Sequence, residues 1–255
     1  VVIGAGAAGM MAAYAAASHR ASVVLLEKNN KTGVKILMSG GTRCNLTHHT
    51  DARGIADAFG HAKRFLQPSL GGFPPQAVVD FFESAGVATK IESTGKVFPV
   101  SNRAVQVRDA LHHYAVDAGV EIRTGCGVTG IRPDGQKWLV ETEQSVIATD
   151  RVIVTTGGKS WPGCGTTGDA YAWMTELGHA IERTRPALVP LLGGEPWMKD
   201  LSGLAVDDSI VTVLPVSGKQ KSLAHRRGSL LFTHFGFSGP VAMDVSGAIT
   251  AATSV

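Results

Sequence analysis

The sequence is poor in cysteine. Its 255 residues hold three, Cys44, Cys126 and Cys164, far apart and without a C-x-x-C pair. That argues against a disulfide framework or a zinc site and fits a reducing, cytoplasmic compartment. No apolar run reaches the ~18 residues that a membrane span needs. Charge of one sign is scarce as well: 24 basic against 21 acidic residues leave a net charge of +3. The basic residues are scattered except for Lys219, Lys221, Arg226 and Arg227, which read as a solvated hairpin face rather than a nucleic-acid patch. There is no internal repeat and no low-complexity tract. What remains, 44% hydrophobic and 18% charged, describes a globular chain with a sizeable core, in one large domain or two smaller ones.

Glycine, by contrast, is plentiful. A single G-x-G-x-x-G is weak evidence among 31 glycines, but the context of the first one is specific. Val1, Val2 and Ile3 run into Gly4, Ala5, Gly6, Ala7, Ala8 and Gly9. An alanine-rich helix follows, and then the apolar run Val23, Val24, Leu25 and Leu26 ends at Glu27. Strand, glycines, helix, strand and acid make a dinucleotide-binding unit. Gly4 permits the tight turn, Gly6 lets the backbone approach a pyrophosphate, and Gly9 lets the helix pack closely on the sheet. The helix N-terminus offers free N–H groups to phosphates. Glu27 is expected to accept hydrogen bonds from both ribose hydroxyls of an adenosine, which favours FAD or NAD over NADP.

Beyond Glu27 the chain reads as a long polar, glycine-rich loop over 28–52, of the kind that is usually functional in a compact domain. Residues 53–100 look largely helical with turns, and Ser101 is placed to cap a helix over 102–118. A short strand at 120–123 precedes strand-like runs at 126–132, 136–142 and 145–149, the pattern of a β-meander. Val152, Ile153 and Val154 then lead into Thr155, Thr156, Gly157 and Gly158, like a buried parallel strand ending in a glycine turn. A helix is expected over 169–177. From about residue 186 the texture changes to antiparallel strands at 204–214 and 223–232. The expected division is therefore an FAD-binding domain over 1–187 and the beginning of an antiparallel β-rich domain over 188–255. The short first strand and the uncapped stretch 239–255 suggest a piece of a longer protein.

The long loop and the meander before the return strand favour FAD over NAD, since an NAD dehydrogenase would turn quickly into another helix. No second G-x-G-x-x-G with a following acid supports a separate NAD domain, which leaves NAD(P)H as a transient reductant. At this point the chain resembles a known family, the bacterial YhiN/BaiN-like (aminoacetone-oxidase-like) NAD(P)/FAD-dependent flavoproteins. The resemblance rests on Gly4 to Gly9 with Glu27, on Gly33-x-Lys35 through Ser39-Gly40-Gly41-Thr42-Arg43-Cys44-Asn45, on Lys96-Val-Phe98-Pro99, on Thr156-Gly157-Gly158, on Gly165 through Gly168-Asp169, and on Phe232-Thr233-His234. Thr42 and Val34 depart from the commoner glycine and arginine. The resemblance implies an α/β, Rossmann-like FAD-binding domain of the two-dinucleotide (GR2-type) plan, interrupted by an inserted β-rich domain and completed by a C-terminal part beyond residue 255.

It also implies roles. Lys28 lies in the loop that follows the adenosine site, and Gly33 starts its glycine-rich part. Lys35 and Arg43 suit charge-assisted bonds to the pyrophosphate or the flavin, against the alternative of solvated loop charges. Ser39, Gly40, Gly41, Cys44 and Asn45 would present N–H groups and small side chains to the flavin. Cys44 reads as a packing or flavin contact, or else as a redox thiol. Val128 stands either as a backbone contact to adenine or as an ordinary strand residue. Thr156, Gly157 and Gly158 would pass close to FAD. Gly168 and Asp169 belong to a loop that reaches the flavin, with Asp169 also placed to cap a helix. His48, His49, His112, His113 and His234 do not have the spacing of a shared metal site, and no metal is expected. No catalytic acid or base is named. The function implied is hydride transfer between a small organic substrate and flavin N5. An NAD-dependent dehydrogenase and a flavin-binding module without turnover are the alternatives.

Overall fold

The computed structural model describes residues 1–216 and 221–252; Lys219 of the expected basic face and residues 253–255 lie outside the described residues. The chain forms two compact units, Val1–Ile181 and Glu182–Val255.

In the first unit β1 (Val2–Ile3), α1 (Ala7–Ser18) and β2 (Val24–Leu26) make the opening βαβ element. α2 (Val34–Met38), β3 (Thr47–His48), α3 (Ala52–Ala58), α4 (Lys63–Gly72) and α5 (Pro75–Ser84) follow. Next come β4 (Thr89–Ile91), β5 (Lys96–Pro99), α6 (Ala104–Asp117) and β6 (Glu121–Arg123). A meander of β7 (Val128–Asp134), β8 (Lys137–Thr142) and β9 (Val146–Thr149) leads to β10 (Ile153–Val154) and α7 (Ala170–Glu176). The central sheet is parallel, in the order β10-β1-β2-β6.

Alternation along each strand divides its residues between two cores. Val2 pairs with Leu25, and both enter a core shared with Met10 and Ala13 of α1 and Val107, Leu111 and Ala115 of α6. Ile3 pairs with Leu26, and both enter a second core with Ile131 and Val140 of the meander and Trp173 of α7. A sheet covered on both faces needs apolar residues at successive positions, which is why these strands read as unbroken apolar runs.

Several expectations change. The 28–52 stretch carries the short α2 and β3 rather than one continuous loop. Within 53–100 the chain adds β4 and β5 to its helices, and with β3 they form a three-stranded antiparallel sheet, β3-β5-β4; Val97 and Phe98 are buried there, in a run too short to show a period. Ser101 does not cap α6. Its cap position is Arg103, without a side-chain bond, and the Ser101 hydroxyl donates to Gln106 Oε1 at 2.6 Å instead.

The second unit holds β11 (Leu191–Leu192), β12 (Ala205–Val213), β13 (Ala224–Thr233), β14 (Gly236–Ser238) and α8 (Pro240–Ala252). Its antiparallel sheet runs β11-β14-β13-β12. Pro240 opens α8, where its missing N–H costs nothing, and Val241, Ala242, Val245 and Ser246 are buried. The Thr250 hydroxyl donates to the Pro186 carbonyl at 2.7 Å, and Val189 N–H donates to Ser246 Oγ at 3.2 Å. These bonds fasten residues 186–189 to α8.

Candidate cofactor site

A cleft of about 390 Å³ opens in the first unit, lined by residues that follow β1, β2 and β10. β1 lies between β2 and β10: the chain runs outward from β1 to β2 and β6 on one side and returns after the meander to β10 on the other. Open α/β sheets bind ligands at such a switch point, outside the carboxyl ends of their strands.

Close backbone packing shapes the floor. A Cβ on Gly9 would stand 1.8 Å from the Gly4 carbonyl oxygen, so only glycine lets α1 start this near the strand. Gly4 has φ +97° and abuts the Thr155 carbonyl. The Thr155 hydroxyl donates to the carbonyls of Ile3 and Gly4 at 2.8 and 2.9 Å, tying β10 to the turn. Gly6 differs. Its φ is an ordinary −76°, and a Cβ there would meet no protein atom within 4 Å. Gly6 nevertheless lines the cleft with Ala7 and Ala8, and no side chain caps α1. Small residues and uncapped N–H groups at a helix start suit a pyrophosphate.

Glu27 is 7% exposed. Its Oε2 accepts from Ala5 N–H at 2.7 Å, and its Oε1 accepts from Asn29 N–H at 2.9 Å and from Asn29 Nδ2 at 2.7 Å. A carboxylate has about four acceptor positions, so three are already filled.

Two lysines of one wall reach the facing segment. Lys28 Nζ donates to Thr167 Oγ1 at 2.8 Å and to Asp169 Oδ2 at 2.6 Å. Lys35 Nζ donates to Ser160 Oγ. Burial works to raise the Asp169 carboxyl, but hydrogen bonds from Lys28 and Thr167 and the Lys28 charge outweigh it and hold the group below its ordinary value. Asp169 occupies the N-cap position of α7 without a side-chain bond to the helix, so the capping role expected for it is not what the side chain does. Cys44, Cys126 and Cys164 are all buried and free, and all line the cleft. Burial pushes the Cys44 thiol up, partly offset by a bond with Ser39. That keeps it a thiol, against a redox thiolate.

The structure brings Gly4, Gly6, Ala7, Ala8, Glu27, Lys28, Gly33, Lys35, Ser39, Cys44, Asn45, Val128, Thr156, Gly157 and Asp169 to this one lining. Gly9 acts beneath it. Gly40, Gly41, Gly158 and Gly168 are not on it. Nor is Arg43, whose Nη1 donates to Glu92 Oε1 at 2.6 Å and whose guanidinium sits 4.1 Å from the Phe98 ring centre; a carboxylate and a ring on the β4–β5 hairpin hold it there. Asn29, Thr155, Cys126, Cys164 and Trp173 line the cleft without having been expected. A polar side chain two residues after a strand-end acid was the available signal for Asn29; Trp173 gave none beyond its helix. Among the described residues no group of three His, Cys, Asp or Glu is placed to hold a metal.

The profile of the HI0933-like protein Rossmann domain matches residues 1–250. The chain belongs to the HI0933-like family. This is the flavoprotein family expected from the sequence, and its cofactor is FAD. Among relatives, the HI0933-like chain is 31% identical over 247 residues to a 3-dehydro-bile acid delta(4,6)-reductase of Clostridium scindens, covering 96% of this chain and 59% of the relative. It is 30% identical over 246 residues to a ribosomal RNA dihydrouridine synthase of Escherichia coli, covering 96% and 60%. The chain thus spans about 60% of the length of these relatives. Among solved structures, 3-ketosteroid-delta4-(5alpha)-dehydrogenase of Rhodococcus jostii aligns with a TM-score of 0.48 at 16% identity, over 63% of this chain and 46% of that one. Among the described residues no helix is long and apolar enough to cross a membrane.

Proposed function

We propose that the protein of which this chain forms part is an FAD-dependent reductase of a carbon–carbon double bond conjugated to a carbonyl. The observation that carries the cofactor half is Gly6, whose absent Cβ would touch no protein atom and leaves open a place for a pyrophosphate. When bound, FAD would supply the hydride chemistry. The chain's own part is to hold it. Gly6, Ala7 and Ala8 offer backbone at the start of α1, Glu27 accepts from the ribose, and Lys28 and Lys35 supply positive charge beside the phosphates. Asp169 and Ser160 hold those two lysines in place. NAD(P)H is the proposed electron donor.

The substrate class draws on the two relatives, one named a reductase and the other a dihydrouridine synthase; dihydrouridine is uridine with its C5–C6 double bond saturated. A small molecule remains the proposed substrate, in preference to nucleic acid. Four arginines that a polyanion could use are engaged by acids: Arg227 by Asp208, Arg132 by Glu141, Arg123 by Glu121 and Arg43 by Glu92. A cytoplasmic location is part of the proposal, and three free thiols suit a reducing compartment.

The test is the visible spectrum of the full-length product, purified without added cofactor, followed by anaerobic mixing with NAD(P)H and an enone. A flavin spectrum bleached by NAD(P)H and restored by the enone is expected. A colourless protein that takes up no FAD overturns the reading. A flavin that no reductant bleaches points instead to a binding module without turnover.

A further inference from the structure

We infer that Glu27 receives a single ribose hydroxyl of the adenosine, and that Asn29 decides which carboxylate oxygen receives it. The inference rests on the reading that an adenine dinucleotide fills the cleft, and concerns a residue to which that reading gave no role.

Oε1 of Glu27 already accepts two N–H groups, both from Asn29, while Oε2 accepts one, from Ala5. The remaining acceptor position of the roughly four on a carboxylate is therefore on Oε2. A ribose offers two hydroxyl donors. The second would have to compete with the Asn29 amide for an oxygen that is already saturated.

The amide is well anchored. Nδ2 reaches the Cys164 carbonyl at 3.2 Å as well as Glu27, so two acceptors fix which end of the carboxamide points to the acid. The Asn29 backbone carbonyl accepts from Gly125 N–H at 2.9 Å, which fixes the main chain beneath the side chain. On the other side a Cβ on Gly165 would come within 2.9 Å of Nδ2, so the turn at 162–165 closes over the side chain. Asn29 is thus a positioning residue. It touches Glu27 and makes the two ribose hydroxyls unequal.

Calorimetric titration of the flavin-free full-length protein with ADP, 2′-deoxy-ADP and 3′-deoxy-ADP tests this. One deoxy analogue is expected to bind roughly tenfold more weakly than ADP, the loss of one bond to a charged acceptor, and the other to stay within about threefold. Asn29→Ala, and the similarly sized Asn29→Leu, keep the backbone N–H on Oε1 but vacate the position held by Nδ2, so the two analogues should then differ by less than about threefold. Equal losses for both analogues in the unsubstituted protein would overturn the inference while leaving the cofactor reading intact. So would an asymmetry that survives in a variant shown by circular dichroism to be folded. The comparison in the unsubstituted protein stands whether or not a variant folds. No binding of ADP or FAD at all would overturn the cofactor reading and this inference together.

Discussion

Gly6 and Gly9 carry the same side chain for different reasons, and substitution separates them. Gly9→Ala forces a Cβ against the Gly4 carbonyl, and overpacking of this kind costs about 1–3 kcal/mol or more. Gly6→Ala extends into open space at an ordinary backbone angle, so its stability should stay within about 0.5 kcal/mol of the parent while FAD affinity falls. Urea unfolding alongside a flavin titration checks both; equal destabilisation would remove the argument that Gly6 is small for a ligand. Asp169 makes a prediction in pH. Its folded carboxyl lies below the ordinary value of 3.8. A depressed carboxylate stabilises the fold at pH above the unfolded value, and that contribution is lost as pH falls through the folded one. Stability should therefore decline on acidification below about pH 4, and Asp169→Asn should flatten that limb in acid titrations followed by circular dichroism.

The segment between α2 and β3 shows how an element gains its shape from strain held by neighbours. Gly40, Gly41, Thr42 and Cys44 all have positive φ, with Thr42 at +69°. A β-branched residue in that region is an outlier. It is kept there by Ala104 N–H donating to the Thr42 carbonyl at 3.0 Å and by Cys44 N–H donating to the Ser39 carbonyl at 3.0 Å. Thr42→Gly should relieve about 1–2 kcal/mol of strain, less the larger chain entropy that glycine loses on folding. A net gain of roughly 0.5–1 kcal/mol in urea unfolding is expected, and a loss would show that Thr42 packs usefully. The glycines of this segment were legible as a special loop. Its turn away from the cleft at Arg43 was not, because Glu92 and Phe98 lie some fifty positions along the chain and meet Arg43 only once β4 and β5 form.

At the scale of the molecule, the whole cleft belongs to one unit. Every lining residue falls within Val1–Ile181. FAD at a hundredfold excess over its dissociation constant should stabilise by about 2.7 kcal/mol through linkage alone. Hydrogen exchange with and without FAD should slow in that unit, at residues 4–9, 27–36 and 155–169, and stay unchanged over 182–252. Protection confined to the second unit would place the ligand elsewhere.

The sequence by itself determined the dinucleotide unit, the meander and the change of texture near residue 186, since each is written in local patterns: glycines at fixed offsets, alternation, and turn residues. It also determined the acid at the end of β2. Tertiary structure decided what surrounds that acid. Ala5 N–H reaches it from the turn after β1, the Cys164 carbonyl helps hold the Asn29 amide that donates to it, Lys28 finds Asp169 at 2.6 Å, and three cysteines scattered along the chain meet at one lining. Such contacts depend on which strands lie side by side and how tightly a helix starts against a sheet, and no run of neighbouring residues encodes either.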